Sequence, residues 1–128
     1  MAAKTEAYRT DSLNVLRGTN ITAPTAIYLS ALTALSSDGS SGGTPIDAAT
    51  RQPITFSTAD SSGFVYNTTE ILFPVATMDW GNIVGGAVWS SSGTSGYCFL
   101  SGDLSSAVNI VTNDQFKISS GGFSYQEI

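Results

Sequence analysis

The chain contains no histidine and a single cysteine among its 128 residues. Without histidine, a Ser-His-Asp or Cys-His nucleophilic device is excluded, and the most versatile general base near neutral pH is missing. A zinc site is disfavoured as well, because Cys and His are its usual ligands. Cys98 lies between Tyr97 and Phe99 in an apolar run, which predicts a small buried residue and not a nucleophile. Most hydrolase mechanisms are therefore ruled out.

Charge is also scarce. Charged residues make up 12 % of the chain, about half of the ~25 % found in an ordinary soluble domain. Lys and Arg together number 5 against 10 Asp and Glu, for a net charge of -5. Nucleic-acid binding requires clustered bases, so no nucleic-acid partner is predicted. A surface of Ser, Thr, Gly and Asn is typical of a protein that is packed against other subunits in an assembly, or of a protein on the outside of a virion.

Long hydrophobic runs are missing too. No apolar run approaches the ~20 residues that span a bilayer, and the N-terminus lacks the apolar core of a signal peptide. We therefore expect a soluble protein made in a cytoplasm, with no membrane partner. A length of 128 residues suits one hydrophobic core.

The few bases are concentrated at the N-terminus. Lys4, Arg9 and Arg17 face only Glu6 and Asp11 there, so this segment carries a charge near +1 while the rest carries about -6. Such asymmetry suggests that the segment meets an acidic partner, for example a neighbouring copy. A solvated helix on the domain's own surface is the equally weighted alternative.

The same segment has a helical pattern. Good helix formers fill residues 5–17, Tyr8, Ser12 and Val15 with Leu16 share one stripe, and Gly18 is placed as a C-terminal stop. We predict an N-terminal arm over residues 1–18 and a β domain over residues 19–128.

The rest of the chain has a β pattern. Residues 25–33 are apolar on both faces and predict a central buried strand, whereas the Gly/Ser-rich residues 36–45 predict a surface loop. Further short strands are predicted at 52–57, 64–67, 70–73, 83–89, 97–101, 108–111, 115–119 and 123–125. Asn113-Asp114 predicts a tight turn and Gly121-Gly122 a bulge or bend. This spacing indicates a mainly β fold, a β-sandwich or jelly-roll-like module of about eight strands.

Acidic residues offer weak candidate sites. Paired carboxylates could hydrolyse glycosides, but nothing in the spacing pairs Glu70, Asp79 and Asp103. Asp38 and Asp47 are isolated candidates for calcium. We predict no catalytic, cofactor or metal site, and therefore no enzyme. The sequons at Asn20 and Asn67 are weak signals in a chain this rich in Thr.

The two tryptophans allow two interpretations. Trp80 and Trp89 could form a platform for stacking sugar rings, or they could fill the core or a subunit contact. The second interpretation is favoured. An exposed indole beside polar groups would support sugar binding, and two buried indoles a scaffold.

The order of these pieces resembles a family of small tailed-phage virion proteins known as tail fibre or minor structural proteins. The resemblance covers nearly the whole chain, from Val15-Leu-Arg-Gly-Thr19 to Val111-Thr-Asn-Asp-Gln-Phe-Lys-Ile118. Its most specific part is the Phe-Pro-x-Ala-Thr-x-Asp-Trp-Gly segment at 73–81. It implies a non-enzymatic, β-rich component of the virion.

Within the virion, the leading expectation is a capsid decoration (cement) protein that stabilises the head shell. Its expected partners are the major capsid protein and copies of itself, in a homo-oligomer such as a trimer. A chain without a repeat or a coiled-coil shaft cannot by itself form a long fibre. The residues expected to attach the arm to its partner are Lys4, Tyr8, Arg9, Leu13 and Arg17. Deleting residues 1–17 should then leave a folded β domain that no longer joins the particle.

The alternative is a tail, neck, baseplate or fibre component that binds a receptor or host-surface glycan. Trp80, Trp89 and the loops at 36–45 and 90–95 would then carry the binding.

Overall fold

The fold is mainly β with one short N-terminal helix in the part of the chain described, as predicted. The computed structural model describes residues 2–35, 44–46, 49–93 and 95–127. No helix in those residues is long and apolar enough to cross a membrane. The elements are β1 (Ala2–Lys4), α1 (Glu6–Asn14), a 3-10 turn (Val15–Arg17), β2 (Tyr28–Ala34), β3 (Thr44–Pro45), β4 (Gln52–Pro53), β5 (Phe64–Tyr66), β6 (Ile71–Leu72), β7 (Gly81–Trp89), β8 (Cys98–Ile110), β9 (Lys117–Ile118) and β10 (Ser124–Gln126).

Two sheets share one hydrophobic core. The large sheet has the order β3-β2-β7-β8-β1-β10-β5, with β4 also paired to β2, and β6 and β9 form a separate two-stranded sheet. Leu29 and Val88 from the large sheet belong to the same buried cluster as Ile71 and Ile118 from the small one. This is the sandwich-like arrangement in which the inner faces of two sheets bury each other's apolar side chains.

The central strand predicted over 25–33 is confirmed as β2. It pairs with β7 on one side and with β3 and β4 on the other, and residues 29–32 are all buried. A strand covered on both faces needs no apolar-polar alternation, which explains its continuous run of apolar and small residues.

The separate strands predicted at 97–101 and 108–111 are wrong, because β8 is one strand of 13 residues. It carries a wide irregularity, since Gly85 pairs with Asp103 and Ile83 with Val108, so that Val84 faces residues 104–107. Gly102 lies so close to Gly85 that a Cβ on Gly85 would stand 2.2 Å from the Gly102 carbonyl oxygen. The Gly/Ser pattern here marks close backbone approach at a bulge, not a turn.

Both predicted turns are confirmed. Asn113 has a φ of 75° and the Asp114 N–H donates to the Val111 carbonyl at 2.9 Å. Gly121 has a φ of 80° and the Gly122 N–H donates to Ser119 at 2.8 Å. The loop predicted over 36–45 ends earlier than expected, because Thr44–Pro45 forms β3, and residues 36–43 lie outside the described ones.

The N-terminal segment is built into the large sheet. β1 pairs with β8 through Ala2, Ala3 and Lys4, and Ala2 also bridges to β10. The helix begins at the N-cap Thr5, and Gly18, with a φ of 87°, ends it as predicted. The division of the chain at residue 18 stays a prediction.

Candidate assembly surface

Thr5 fixes the helix onto the large sheet. Its N–H donates to the Phe99 carbonyl at 2.9 Å and its hydroxyl to the Cys98 carbonyl at 2.6 Å. The same hydroxyl accepts from the Tyr8 N–H at 3.4 Å, so one side chain caps the helix and ties it to β8. The Tyr8 ring then meets Phe99 edge-on at 5.2 Å. One side of α1 is therefore held by the chain itself.

Two polar contacts reinforce this attachment. The Tyr97 hydroxyl donates to the Asp11 carboxylate at 2.5 Å, and burial together with this hydrogen bond raises the pKa of Tyr97. Lys4 forms an ion pair with Glu127. Burial lowers the pKa of Lys4, but the hydrogen bond and charge of Glu127 outweigh burial and raise it overall. The first contact ties α1 to the residue before β8, and the second ties β1 to the residue after β10.

The other side of α1, together with the 3-10 turn that follows it, is open and carries two exposed leucines. Arg9, Leu13 and Leu16 recur at intervals of four and three residues, so they share one face of the helix. Leu13 is 66 % exposed and Leu16 is 85 % exposed. We call Arg9, Leu13 and Leu16 the helix face. It lines a groove of about 620 Å³ against Tyr125 and the residues after it.

The structure divides the five residues expected to attach the arm. Arg9, Leu13 and Arg17 are exposed, whereas Lys4 and Tyr8 contact the chain's own sheet. Leu16, the most exposed large apolar side chain of the helix, was missing from that set. The three-residue spacing between Leu13 and Leu16 is the sequence feature that places Leu16 on the same helical face.

A second exposed apolar surface lies at the turn between β8 and β9. Val75 is 51 %, Met78 55 % and Val111 41 % exposed. We call these three residues, together with Asp79 and Asp114, the turn face. These residues are not adjacent in the chain, so no local sequence pattern marks the surface that they form.

Backbone hydrogen bonds bring the turn face together. The Ala76 N–H donates to the Asp114 carbonyl at 2.8 Å, and the Asn113 N–H donates to the Ala76 carbonyl at 2.7 Å. The Asp79 carboxylate accepts from the backbone N–H and the hydroxyl of Thr112 at 2.9 and 3.1 Å. Asp79 therefore acts as a turn-stabilising group, the ordinary role of Asp in such a chain.

Trp80 is buried and Trp89 is half-buried. Trp80 is 6 % exposed and its ring lies 6.4 Å from that of Phe73, in the core. Trp89 donates its indole N–H to the Ser30 hydroxyl at 3.1 Å, and the Arg51 guanidinium lies 4.1 Å from its ring centre. The ring face that Arg51 covers is closed to a sugar.

Arg51 also organises the loop beside Trp89. Its guanidinium donates to the carbonyls of Ser91 and Ser95 at 2.9 and 2.8 Å, and the residue is only 8 % exposed. The described part of the loop at 90–95 is thus fastened to the body of the domain.

The carboxylates considered for catalysis have structural contacts. Glu70 lies 3.9 Å from Lys117, while Asp103 sits in β8 opposite Gly85. The calcium candidates Asp38 and Asp47 lie outside the described residues. Within the described ranges, no group of three or more His, Cys, Asp or Glu could hold a metal ion.

Cys98 is half-buried, and its thiol donates to the Leu100 carbonyl at 3.6 Å. Burial raises its pKa to about 11, so the thiol stays protonated at neutral pH. A protonated thiol is a poor nucleophile, so the site lends no support to cysteine chemistry.

A family model described as podophage GP4 fiber I protein gp80 matches residues 3–126. The chain belongs to this family. The predicted resemblance to phage virion structural proteins is thereby confirmed, and the gp80 description names a fibre protein. Between the two locations expected within the virion, it favours the tail fibre over capsid decoration. A comparison with curated proteins finds no match.

Proposed function

We propose that this gp80-family protein is a structural subunit of a podophage tail fibre, joined to its neighbours through the helix face. The family match supports the fibre assignment. The helix face supports the mode of attachment. Leu13 and Leu16 expose apolar surface to water, and contact with a neighbouring subunit would bury that surface.

The contacts of α1 explain how such a surface can be rigid before assembly. Thr5, Tyr8 and Asp11 hold the opposite side of the helix on β8, so Leu13 and Leu16 are presented from a fixed scaffold. Binding a preformed surface avoids the entropy of ordering a free segment. In this function the protein contributes buried area and shape, with no chemical step.

Substitution in the helix face tests the proposal. The double variant Leu13→Glu with Leu16→Glu places two charges on exposed positions, so the isolated protein should stay folded while losing its apolar contact. In phage that lack the natural gene and carry a variant copy, we expect particles depleted of the double variant, measured by quantitative mass spectrometry of purified virions.

Thr58→Glu with Asn20→Glu is the matched control, since both positions are exposed and lie outside the helix face. The control pair should be incorporated like the wild type. Full incorporation of a folded Leu13→Glu, Leu16→Glu protein would refute attachment through the helix face.

A further inference from the structure

The helix and the turn face are attached to opposite ends of one strand, and the Tyr97 hydroxyl just before that strand also donates to Asp11 of α1. Cys98, at the start of β8, contacts Thr5 of the helix, and Ile110, at its end, accepts from Trp80 beside the turn. The neighbouring β7 runs from Gly81 opposite Ile110 to Trp89 opposite Cys98. At ~3.3 Å per residue, β7 sets the two ends about 26 Å apart. One copy therefore cannot cover its own turn face with its own helix face.

The charges at the two ends are opposite. Arg9 belongs to the helix face and Arg17 follows Leu16, and both are exposed. Asp79 and Asp114 belong to the turn face and are exposed too. Among the described residues, neither carboxylate forms an ion pair with Lys or Arg, and nearby Lys117 is paired with Glu70. The helix face thus has two exposed bases and one exposed acid, Glu6, beside its leucines, and the turn face has two exposed acids beside its apolar side chains.

We propose that copies of this chain associate head to tail, with the helix face of one copy seated on the turn face of the next. Leu13 and Leu16 would pack against Val75, Met78 and Val111, while Arg9 and Arg17 approach Asp79 and Asp114. Opposite charges favour this pairing over helix face on helix face or turn face on turn face, where like charges would meet.

Such a contact is heterologous, because two different surfaces of each copy are used. Heterologous contacts generate a row of copies, which closes into a ring or continues as a filament. A row of copies would form an elongated fibre even though the sequence of each copy contains no repetitive shaft. The inference rests on the proposed function in that it names the partner of the helix face.

Two substitutions block the two ends separately. Leu16→Glu puts an acid on the helix face, and Met78→Lys puts a base on the turn face, so each meets like charge on the neighbouring copy. Sedimentation velocity across protein concentrations should show association of the wild-type chain and monomers of each variant. Thr58→Glu and Thr58→Lys add the same charges to an exposed loop position and should associate like the wild type.

Mixing the two blocked variants gives the decisive result. The Met78→Lys copy keeps an intact helix face and the Leu16→Glu copy keeps an intact turn face, so an equimolar mixture should form at least a dimer. The two blocked faces carry introduced charges of opposite sign, so they can pair as well and extend the row. A mixture that stays monomeric, or single variants that still associate, would overturn the inference. A wild-type chain that remains monomeric at every concentration up to about 1 mM would also overturn the inference. A dissociation constant of about 1 mM corresponds to a binding free energy of only about 4 kcal/mol.

Leu13→Glu and Val75→Lys repeat the experiment at neighbouring exposed positions if either first variant does not fold. The two proposals fail differently. A chain that is monomeric in solution but present in the tail fibre overturns the head-to-tail contact alone, and a chain that associates but is absent from the tail overturns the fibre function alone.

Discussion

The side chain of Asn67 connects three backbone segments in the second half of the chain through hydrogen bonds. It is fully buried, and its side-chain amide donates to the carbonyls of Thr69 and Ser119 at 2.8 and 3.0 Å. Its side-chain oxygen accepts from the Phe123 N–H at 2.8 Å. A buried polar side chain is tolerated only when its hydrogen bonds are made, and here both the amide and the oxygen are used. The sequon at Asn67 is thus closed to modification in the folded protein.

Asn67→Ala should destabilise the protein by about 3 kcal/mol, because it leaves the buried Phe123 N–H without its acceptor and also removes the hydrogen bonds to the partly buried Thr69 and Ser119 carbonyls. Urea denaturation followed by circular dichroism measures the loss. Asn20→Ala, at the exposed sequon, is the control and should change stability by less than about 0.5 kcal/mol. Equal stabilities of the two variants would contradict the role given to Asn67.

Sequence patterns alone could not reveal this role. Asn67 precedes two threonines in a polar stretch, and nothing local distinguishes it from an exposed turn residue such as Asn20. Its partners lie as far as 56 residues away, so only the folded chain brings them together. The structural role of Arg51 is hidden from sequence patterns for the same reason. The Ser91 and Ser95 carbonyls that its guanidinium binds lie 40 and 44 residues away in the chain.

At the scale of elements, β7 and β8 depend on glycine where they approach most closely. A Cβ on Gly85 would lie 2.2 Å from the backbone of Gly102, and backbone cannot swing aside as a flexible side chain can. The absence of a side chain at this position permits the wide irregularity of β8 without breaking the sheet.

Gly85→Ala should therefore cost about 3 kcal/mol of folding free energy through overpacking. Gly93→Ala is the matched control, because nothing lies within 4 Å of the Cβ that it would add. Thermal melts of both variants beside the wild type report the difference. An unchanged melting temperature for Gly85→Ala would show that the two strands can separate there at little cost.

The N-terminal helix depends on Thr5 in the same way. Thr5→Ala removes both the N-cap and the hydroxyl's hydrogen bond to β8, each worth about 1 kcal/mol, for a loss of about 2 kcal/mol. Thr5→Ser keeps the hydroxyl and should retain most of the stability. Chemical denaturation distinguishes the variants, and equal losses for Ala and Ser would assign the effect to packing of the methyl group instead.

The main helix and strands could be predicted from the sequence, whereas the pairing between distant strands could not. The helix ending at Gly18, β2 and the Asn113 turn follow from local patterns of burial and backbone preference. β1 was hidden because three residues give no periodicity, and its pairing with β8 spans nearly the whole chain. This pairing also bears on deletion of residues 1–17, which would remove a strand of the large sheet along with the helix.

At the scale of the whole molecule, the fold presents two exposed apolar faces on a rigid β scaffold. The helix face supports attachment, and its charge complements that of the turn face at the other end of β8. The gp80 family match places these surfaces in the context of a podophage fibre protein.

Cryo-electron microscopy of intact particles tests the central claim most directly. The map would be searched for density that this fold fits, both along the tail and over the capsid. For a fibre subunit attached through the helix face, we expect density in the tail fibres, with Leu13 and Leu16 in contact with a neighbouring subunit. Density confined to the capsid surface, or helix faces left open to solvent in every copy, would contradict it.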